Sequence, residues 1–180
     1  SLNNNKLGLP PIELEFVAPR KEKYTSGSRK PDVTGGELID DVLRRDLTIN
    51  SLLKNVSTGE VLDLTGKGIE DIKNGVIRTT SESEIIFKDD PLRMLRAIRF
   101  AVKYDFDINT DVLKEIRKHA SLIDTISKER ISDELNKILL SPNPSKGIRL
   151  LKITNLLSYI IEEFNDAIGM KQNIHHKDDV

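Results

Sequence analysis

The stretch from Asp89 to Lys103 constrains this chain more than any other. Asp89-Asp90-Pro91 supplies a capping carboxylate followed by a proline, whose fixed φ and missing N–H suit the first position of a helix. At about 100° per residue, Met94, Leu95, Ala97, Ile98, Ala101 and Val102 fall on one arc, while Arg93, Arg96, Arg99 and Lys103 fall on the other. Such a helix must bury one face, and the segments around it have to provide the partner.

Those segments differ on its two sides. Before Ser81 the pattern is mixed. Ile12 to Val17 alternates apolar and acidic residues like a half-buried strand, and Gly27 to Gly36 reads as a loop. Leu38 to Leu43 begins a short helix that leads into Arg44-Arg45-Asp46, and Leu47 to Leu53 fits helix or strand equally well. Val61 to Leu64 suggests a short strand, Gly66 and Gly68 a turn, and Ile69 to Lys73 a helix ending at Gly75. After Ser81 the pattern is helical, with segments expected at Asp111–Lys118, Lys128–Leu140 and Ser145–Tyr159. Pro142 and Pro144 interrupt the chain between the last two. A boundary near Thr80 is expected, giving an α+β arrangement of two parts, residues 1–80 and 81–180.

Composition narrows the function only by exclusion. The 180 residues contain no cysteine, which rules out a disulfide scaffold and a thiolate zinc site and fits a reducing compartment; a cytoplasmic location is expected. No apolar run approaches the ~20 residues of a membrane span, and a membrane partner is not expected. The formal net charge of -1 means that any nucleic-acid contact must come from a local basic patch. The chain opens on Ser1 and is expected to be an internal piece of a longer protein.

Two groups of residues suggest chemistry. Arg44 and Arg45 side by side suit triphosphate oxygens, because planar guanidinium forks donate paired hydrogen bonds. Asp46 and Asn50 add a carboxylate and an amide suited to ribose hydroxyls, with a solvated charged turn as the alternative. Asp90 and Arg93 lie three apart, on one helix face. Cytosine and adenine present an amino donor beside a ring-nitrogen acceptor, whereas uracil and guanine present the reverse order. A fixed Asp/Arg pair would therefore select C and A, by about 1–3 kcal/mol for a good bidentate contact. An ordinary i,i+3 ion pair is the alternative. The Arg93, Arg96, Arg99 and Lys103 stripe would follow a phosphate backbone or simply face solvent. Arg130 and Glu134, at i,i+4, read as a structural salt bridge, and His175-His176 with Asp178 and Asp179 as a polar tail rather than metal ligands.

The order of these segments carries more than any one of them. Glu15 to Tyr24, Arg44-Arg45-Asp46-Leu-Thr-Ile-Asn50, Asp63-Leu-Thr-Gly66, Asp89-Asp90-Pro-Leu-Arg93-Met-Leu-Arg96-Ala-Ile-Arg99-Phe100 and Glu129-Arg130-Ile-Ser-Asp-Glu134 together closely resemble class II CCA-adding enzymes and bacterial poly(A) polymerases. The resemblance covers about Ile12 to Tyr159. It implies a nucleotidyltransferase head with a partial mixed sheet, followed by a mainly α-helical neck and body that bind RNA. It also implies nucleotide binding by Arg44, Arg45, Asp46, Asn50, Asp90, Arg93 and Arg96, with Asp90 and Arg93 selecting the base. Asp63 and Gly66 would form a structural motif, and Arg130 and Glu134 would brace the site. The base-selecting motif of the family begins with Glu, where this chain has Asp89.

One family element is absent from these residues. Upstream of the Arg-Arg-Asp segment the family carries a Gly-Gly strand–turn–helix and an Asp-x-Asp pair that holds two Mg2+ ions. No such arrangement precedes Glu15, which matches an accessory acidic position facing that pair, and Gly35-Gly36 lies after it. The resemblance thus implies Mg2+, CTP, ATP and the 3′ end of tRNA or another RNA as cofactor and partners of a full-length parent. No metal is expected in these 180 residues, and they would not add nucleotides on their own. A poly(A) polymerase parent or a non-catalytic RNA-binding helical module are the alternatives. A head lacking paired strands would also expose a sheet edge, through which self-association is expected. Gly169 to Asp178 resembles the approach to an HD-type phosphohydrolase domain.

Overall fold

The computed structural model describes residues 17–23 and 32–161. Glu15, the Ile12–Phe16 part of the expected strand, His175-His176 and the Gly169–Asp178 segment lie outside the described residues. The chain divides into two compact units, residues 1–41 and 42–180, so the packing does not divide at Thr80. The reason is visible in the contacts of Arg78, Thr79 and Thr80. Leu47 pairs with Thr79 in an antiparallel bridge, Thr48 N–H donates to the Arg78 carbonyl at 2.9 Å, and the Thr80 hydroxyl donates toward the Arg45 and Leu43 carbonyls. Residues from 42 onward are thereby tied into the helical part.

In the first unit, strands β1 (Arg20–Lys23) and β2 (Asp32–Gly35) pair antiparallel, with Arg20 opposite Gly35 and Lys23 opposite Asp32. The loop expected over Gly27 to Gly36 therefore contains a strand. Its pairing uses backbone groups and needs no apolar alternation, so the periodicity could not reveal it. Val17 is exposed and lies outside any strand. Helix α1 (Leu38–Leu43) begins here and ends in the second unit.

The second unit is built around α4 (Leu92–Tyr104). All six apolar residues anticipated for its inner face are buried, at 0 to 1 % exposure. Helices α6 (Lys128–Leu139) and α7 (Pro144–Ile153) pack against it, and α3 (Ser83–Asp89) packs against both α4 and α5 (Thr110–His119). Strands β5 (Val76–Ile77) and β6 (Asp107–Ile108) run parallel, so the chain leaves β5, forms α3 and α4, and returns beside it. Strands β3 (Leu53–Lys54) and β4 (Val61–Leu62) form a small hairpin that leads to α2 (Gly68–Asn74). A short α8 (Leu157–Ile160) follows α7.

Local chemistry sets the boundaries. Asp90 is extended (φ -146°, ψ 100°) between α3 and α4, and its Oδ1 accepts from Leu92 N–H at 3.2 Å, so it caps α4 with Pro91 at the first helical position, as the sequence suggested. Gly75 ends α2 in the left-handed region at φ 65°. The single helix expected over Ser145–Tyr159 is broken. The Thr154 hydroxyl donates back to the Leu150 carbonyl at 2.7 Å, and Asn155 adopts φ 63°, a conformation that asparagine tolerates and that ends the helical run. The ambiguous Leu47–Leu53 run resolves into a bridge at Leu47, a 3-10 turn at Thr48–Asn50 and the start of β3.

Asp63 organises the entry to α2. Its Oδ2 accepts from Ile69 N–H at 3.0 Å and its Oδ1 from the Thr65 hydroxyl at 2.7 Å, while Gly66 turns the chain at φ 65°. Burial of the carboxyl works against its charged form. Donation from Ile69, Thr65, Gly68 and Gly66 outweighs burial and holds its pKa below the ordinary 3.8.

Two outcomes follow from this packing. An added Cβ at Gly147 would collide with Ile138 Cγ2 on α6 and touch Val102 Cγ2 on α4 at 3.4 Å. Gly147→Ala should therefore lower stability by about 1–3 kcal/mol in thermal or denaturant unfolding. Asp63→Asn should cost about 1 kcal/mol at neutral pH, because it removes the charge from the acceptor and replaces one accepting oxygen by an amide N–H2. Because the folded-state pKa is the lower one, this contribution is complete above the ordinary carboxylate value and fades as pH falls through the folded value. The unfolding curves of the two proteins should converge in acid, and a constant gap down to pH 2 would contradict the assignment.

Candidate nucleotide-binding cleft

One cleft of about 510 Å³ brings together residues from three places in the second unit. The turn after α1 and the 3-10 turn contribute Arg44, Arg45, Asp46 and Asn50. The start and outer face of α4 contribute Asp90, Leu92, Arg93, Arg96 and Phe100, and α6 contributes Arg130. Seven residues singled out as nucleotide-binding candidates in the sequence thus line one cavity, although 50 positions separate Asp46 from Arg96. Five guanidiniums face two carboxylates in it, so the cleft is locally cationic on a chain that is nearly neutral overall.

Asp46 is the hub of one wall. It is 6 % exposed, and its Oδ2 receives both Nε and Nη2 of Arg96 at 2.6 Å. Its Oδ1 accepts from Leu47 N–H at 2.8 Å and from Asn50 Nδ2 at 3.3 Å. Four donors fill the capacity of a carboxylate. Arg45 donates from Nη1 to the Asn50 carbonyl at 3.2 Å, which closes the turn on itself.

Asp90 and Arg93 open the other wall. The i,i+3 ion pair that would have made them unremarkable is not what the structure holds. Asp90 Oδ2 accepts from Arg130 Nη2 at 2.9 Å, while Arg93 Nη1 reaches the Ile86 carbonyl at 3.5 Å. Asp90 keeps acceptor capacity beyond its two bonds.

The salt bridge expected between Arg130 and Glu134 is a correction of the same kind. Arg130 points to Asp90, and Glu134 accepts from Arg99 Nε at 2.6 Å and Lys137 Nζ at 2.9 Å. Helical spacing made the two residues neighbours, but buried Glu134 faces α4, where Arg99 is the nearer cation. The basic stripe of α4 is dispersed by the same contacts. Arg96 and Arg99 are held by carboxylates, the Arg99 guanidinium lies 4.1 Å from the Phe100 ring centre, and Lys103 lies over Tyr104. It is therefore no free track for a phosphate backbone. Phe100 and Leu92 were not singled out as site residues. The only signal for them was their place on the polar side of the α4 arc, next to the arginines.

The donor set of the cleft does not suit Mg2+. That ion needs several oxygen ligands in octahedral geometry, whereas Asp46 is saturated and Asp90 carries Arg130. Asp105 and Asp107 have Asp-x-Asp spacing, but they sit on Lys146 at 2.9 and 3.7 Å, away from the cleft. Glu84, Glu115 and His119 cluster between α3 and α5, where Lys88 and Lys118 already neutralise the carboxylates. Among the described residues no helix is long and apolar enough to cross a membrane.

Residues 4–78 match the family model described as the poly A polymerase head domain, and residues 105–168 match that of the probable RNA- and SrmB-binding site of polymerase A. The chain thus matches the poly A polymerase family in both its head part and its RNA-binding part. Relatives similar to this chain include CCA-adding enzymes. The mitochondrial CCA tRNA nucleotidyltransferase of Saccharomyces cerevisiae is 41 % identical over 165 residues, 90 % of this chain and 30 % of the relative. The Bacillus stearothermophilus CCA-adding enzyme in complex with CTP is 36 % identical with a TM-score of 0.68, over 71 % of this chain and 32 % of that one. The Thermotoga maritima CCA-adding enzyme complexed with tRNA is 32 % identical with a TM-score of 0.64, over 70 % of this chain and 31 % of that one. The chain thus spans about a third of the length of these relatives.

Proposed function

We propose that this chain is the nucleotide-selecting and RNA-facing part of a template-independent nucleotidyltransferase that adds C and A to tRNA 3′ ends. The observation that carries this reading is the cleft itself, in which Asp90 and Arg93 stand side by side without pairing to each other. The Asp90 carboxylate accepts from the exocyclic amino group of cytosine or adenine, and the Arg93 guanidinium donates to the adjacent ring nitrogen. Uracil and guanine would set a carbonyl against the carboxylate and an N–H against the guanidinium, leaving both groups opposed. Arg44 and Arg45 take the triphosphate, and Arg45 and Asn50 meet the ribose. Asp46 joins them only by releasing its longest bond, that from Asn50.

Mg2+ would supply charge neutralisation and activation of the RNA 3′-hydroxyl, but it needs an Asp-x-Asp pair that these residues do not place in the cleft. In this reading Glu15 is an accessory acidic residue and Arg130 holds Asp90 in place. A reducing compartment, cytoplasmic or mitochondrial, fits a chain without cysteine. The same cleft would serve a parent that adds only the terminal A or poly(A).

Two measurements test the reading. In the full-length parent, Asp90→Ala or Arg93→Ala should erode discrimination of CTP and ATP against UTP and GTP by about 10- to 100-fold, the size of one lost bidentate contact. Unchanged selectivity would remove both residues from base reading. The 180-residue chain, mixed with tRNA lacking its CCA end, CTP, ATP and Mg2+, should extend no RNA in a gel assay; clear product would show that the chemistry lies within these residues.

A further inference from the structure

We infer that Thr48 and Asp71 are positioning residues for the cleft, acting from behind it through the 3-10 turn; this rests on the nucleotide-binding reading above. Neither lines the cavity, and both are almost fully buried, at 1 and 2 % exposure. Thr48 Oγ1 donates to Asp71 Oδ2 at 2.7 Å, and Asp71 in turn receives Arg78 Nε on Oδ1 at 3.1 Å and on Oδ2 at 3.2 Å. Arg78 closes the loop, because its carbonyl accepts from Thr48 N–H at 2.9 Å. Thr48 is therefore held at its backbone and its side chain by residues 23 and 30 positions away.

What this fixes is the orientation of the site. Asn50 N–H donates to the Leu47 carbonyl and Ser51 N–H to the Thr48 carbonyl, so the turn is rigid only while Thr48 stays in place. Asp46 and Asn50 flank Thr48 by two residues on either side and face the cleft. Helix α2 presses on the same point, since a Cβ on Gly68 would lie 2.7 Å from the Thr48 carbonyl oxygen. A buried carboxylate with a hydroxyl and a guanidinium on it is a specific, low-tolerance connection, because loss of any member leaves a desolvated polar group unpaired. The Arg44–Asn50 segment thus reaches the cleft in one geometry before any nucleotide arrives, which lowers the ordering cost of binding.

The test uses the whole 180-residue chain and CTP as probe, with calorimetric titration and amide hydrogen exchange read on the same samples. Thr48→Val removes the hydroxyl at nearly constant volume, and Thr48→Ser restores it. Gly147→Ala serves as a variant destabilised at a residue outside the cleft lining. Thr48→Val should bind CTP about tenfold more weakly and exchange the Thr48, Asn50 and Ser51 amides faster. Thr48→Ser should return both readouts to wild type, and Gly147→Ala should keep wild-type CTP affinity despite its lower Tm. If Thr48→Val does not fold, Asp71→Asn, which removes the charge that the Thr48 hydroxyl and Arg78 both address, is read in the same two ways. Wild-type affinity and exchange in the Thr48 variant would overturn the inference; so would faster exchange with unchanged CTP affinity, or a failure of serine to restore. If the wild-type chain binds no CTP, the nucleotide reading fails instead, and exchange at the three amides alone decides whether Thr48 holds the turn.

Discussion

The ion pair between Asp46 and Arg96 is the interaction on which the cleft depends. It joins the turn that follows α1 to the outer face of the central helix α4, across 50 residues of sequence, with both guanidinium contacts at 2.6 Å. One partner is buried and the other about one-third exposed, so the desolvation of Asp46 is offset by two guanidinium contacts that converge on Oδ2 and by two further donors on Oδ1. Removing Arg96 would leave a buried carboxylate short of its main donors, which costs more than the pair contributes when intact. The pair decides where the Arg44–Asn50 segment sits relative to the α4 face.

A second layer of polar contacts works in the same way from α6 and α2. Arg130 sets Asp90, Arg99 is held by Glu134, and the Thr48–Asp71–Arg78 loop sets the 3-10 turn. Each connects elements distant in sequence, and each leaves an apolar surface free to pack. The helices themselves associate through the inner face of α4, where six residues are 0 to 1 % exposed. Apolar burial holds the helices together, and the charged contacts specify the arrangement of the cleft.

In the proposed reading, selecting a nucleotide and reacting it are separate tasks. The proposed base reading needs a fixed carboxylate, and Asp90 is held by its own helix and a neighbouring one, through Leu92 N–H and Arg130. Reaction needs a cation site, and the cleft offers five guanidiniums where such a site would need free carboxylates. Among the described residues, the lining thus suits the selecting task proposed for it and offers no oxygen cage for a cation.

The sequence by itself determined the elements whose cause is local. The buried arc of α4, the Asp90–Pro91 start, the Gly75 stop and the segments that line the cleft were legible, because capping, φ preference and helical period act within a few residues. Tertiary structure alone decided the rest. Strand β2 exists because a partner strand supplies hydrogen bonds to a segment with no apolar period. Arg130 and Glu134 part company because each meets a better-placed opposite charge on another element. Thr48 and Asp71 gain a role only when the fold brings them together, since a lone threonine and a lone aspartate carry no pattern. Periodicity reports which face of a helix is buried; which partner a polar side chain meets is set by the packing of whole elements, and no local rule encodes it.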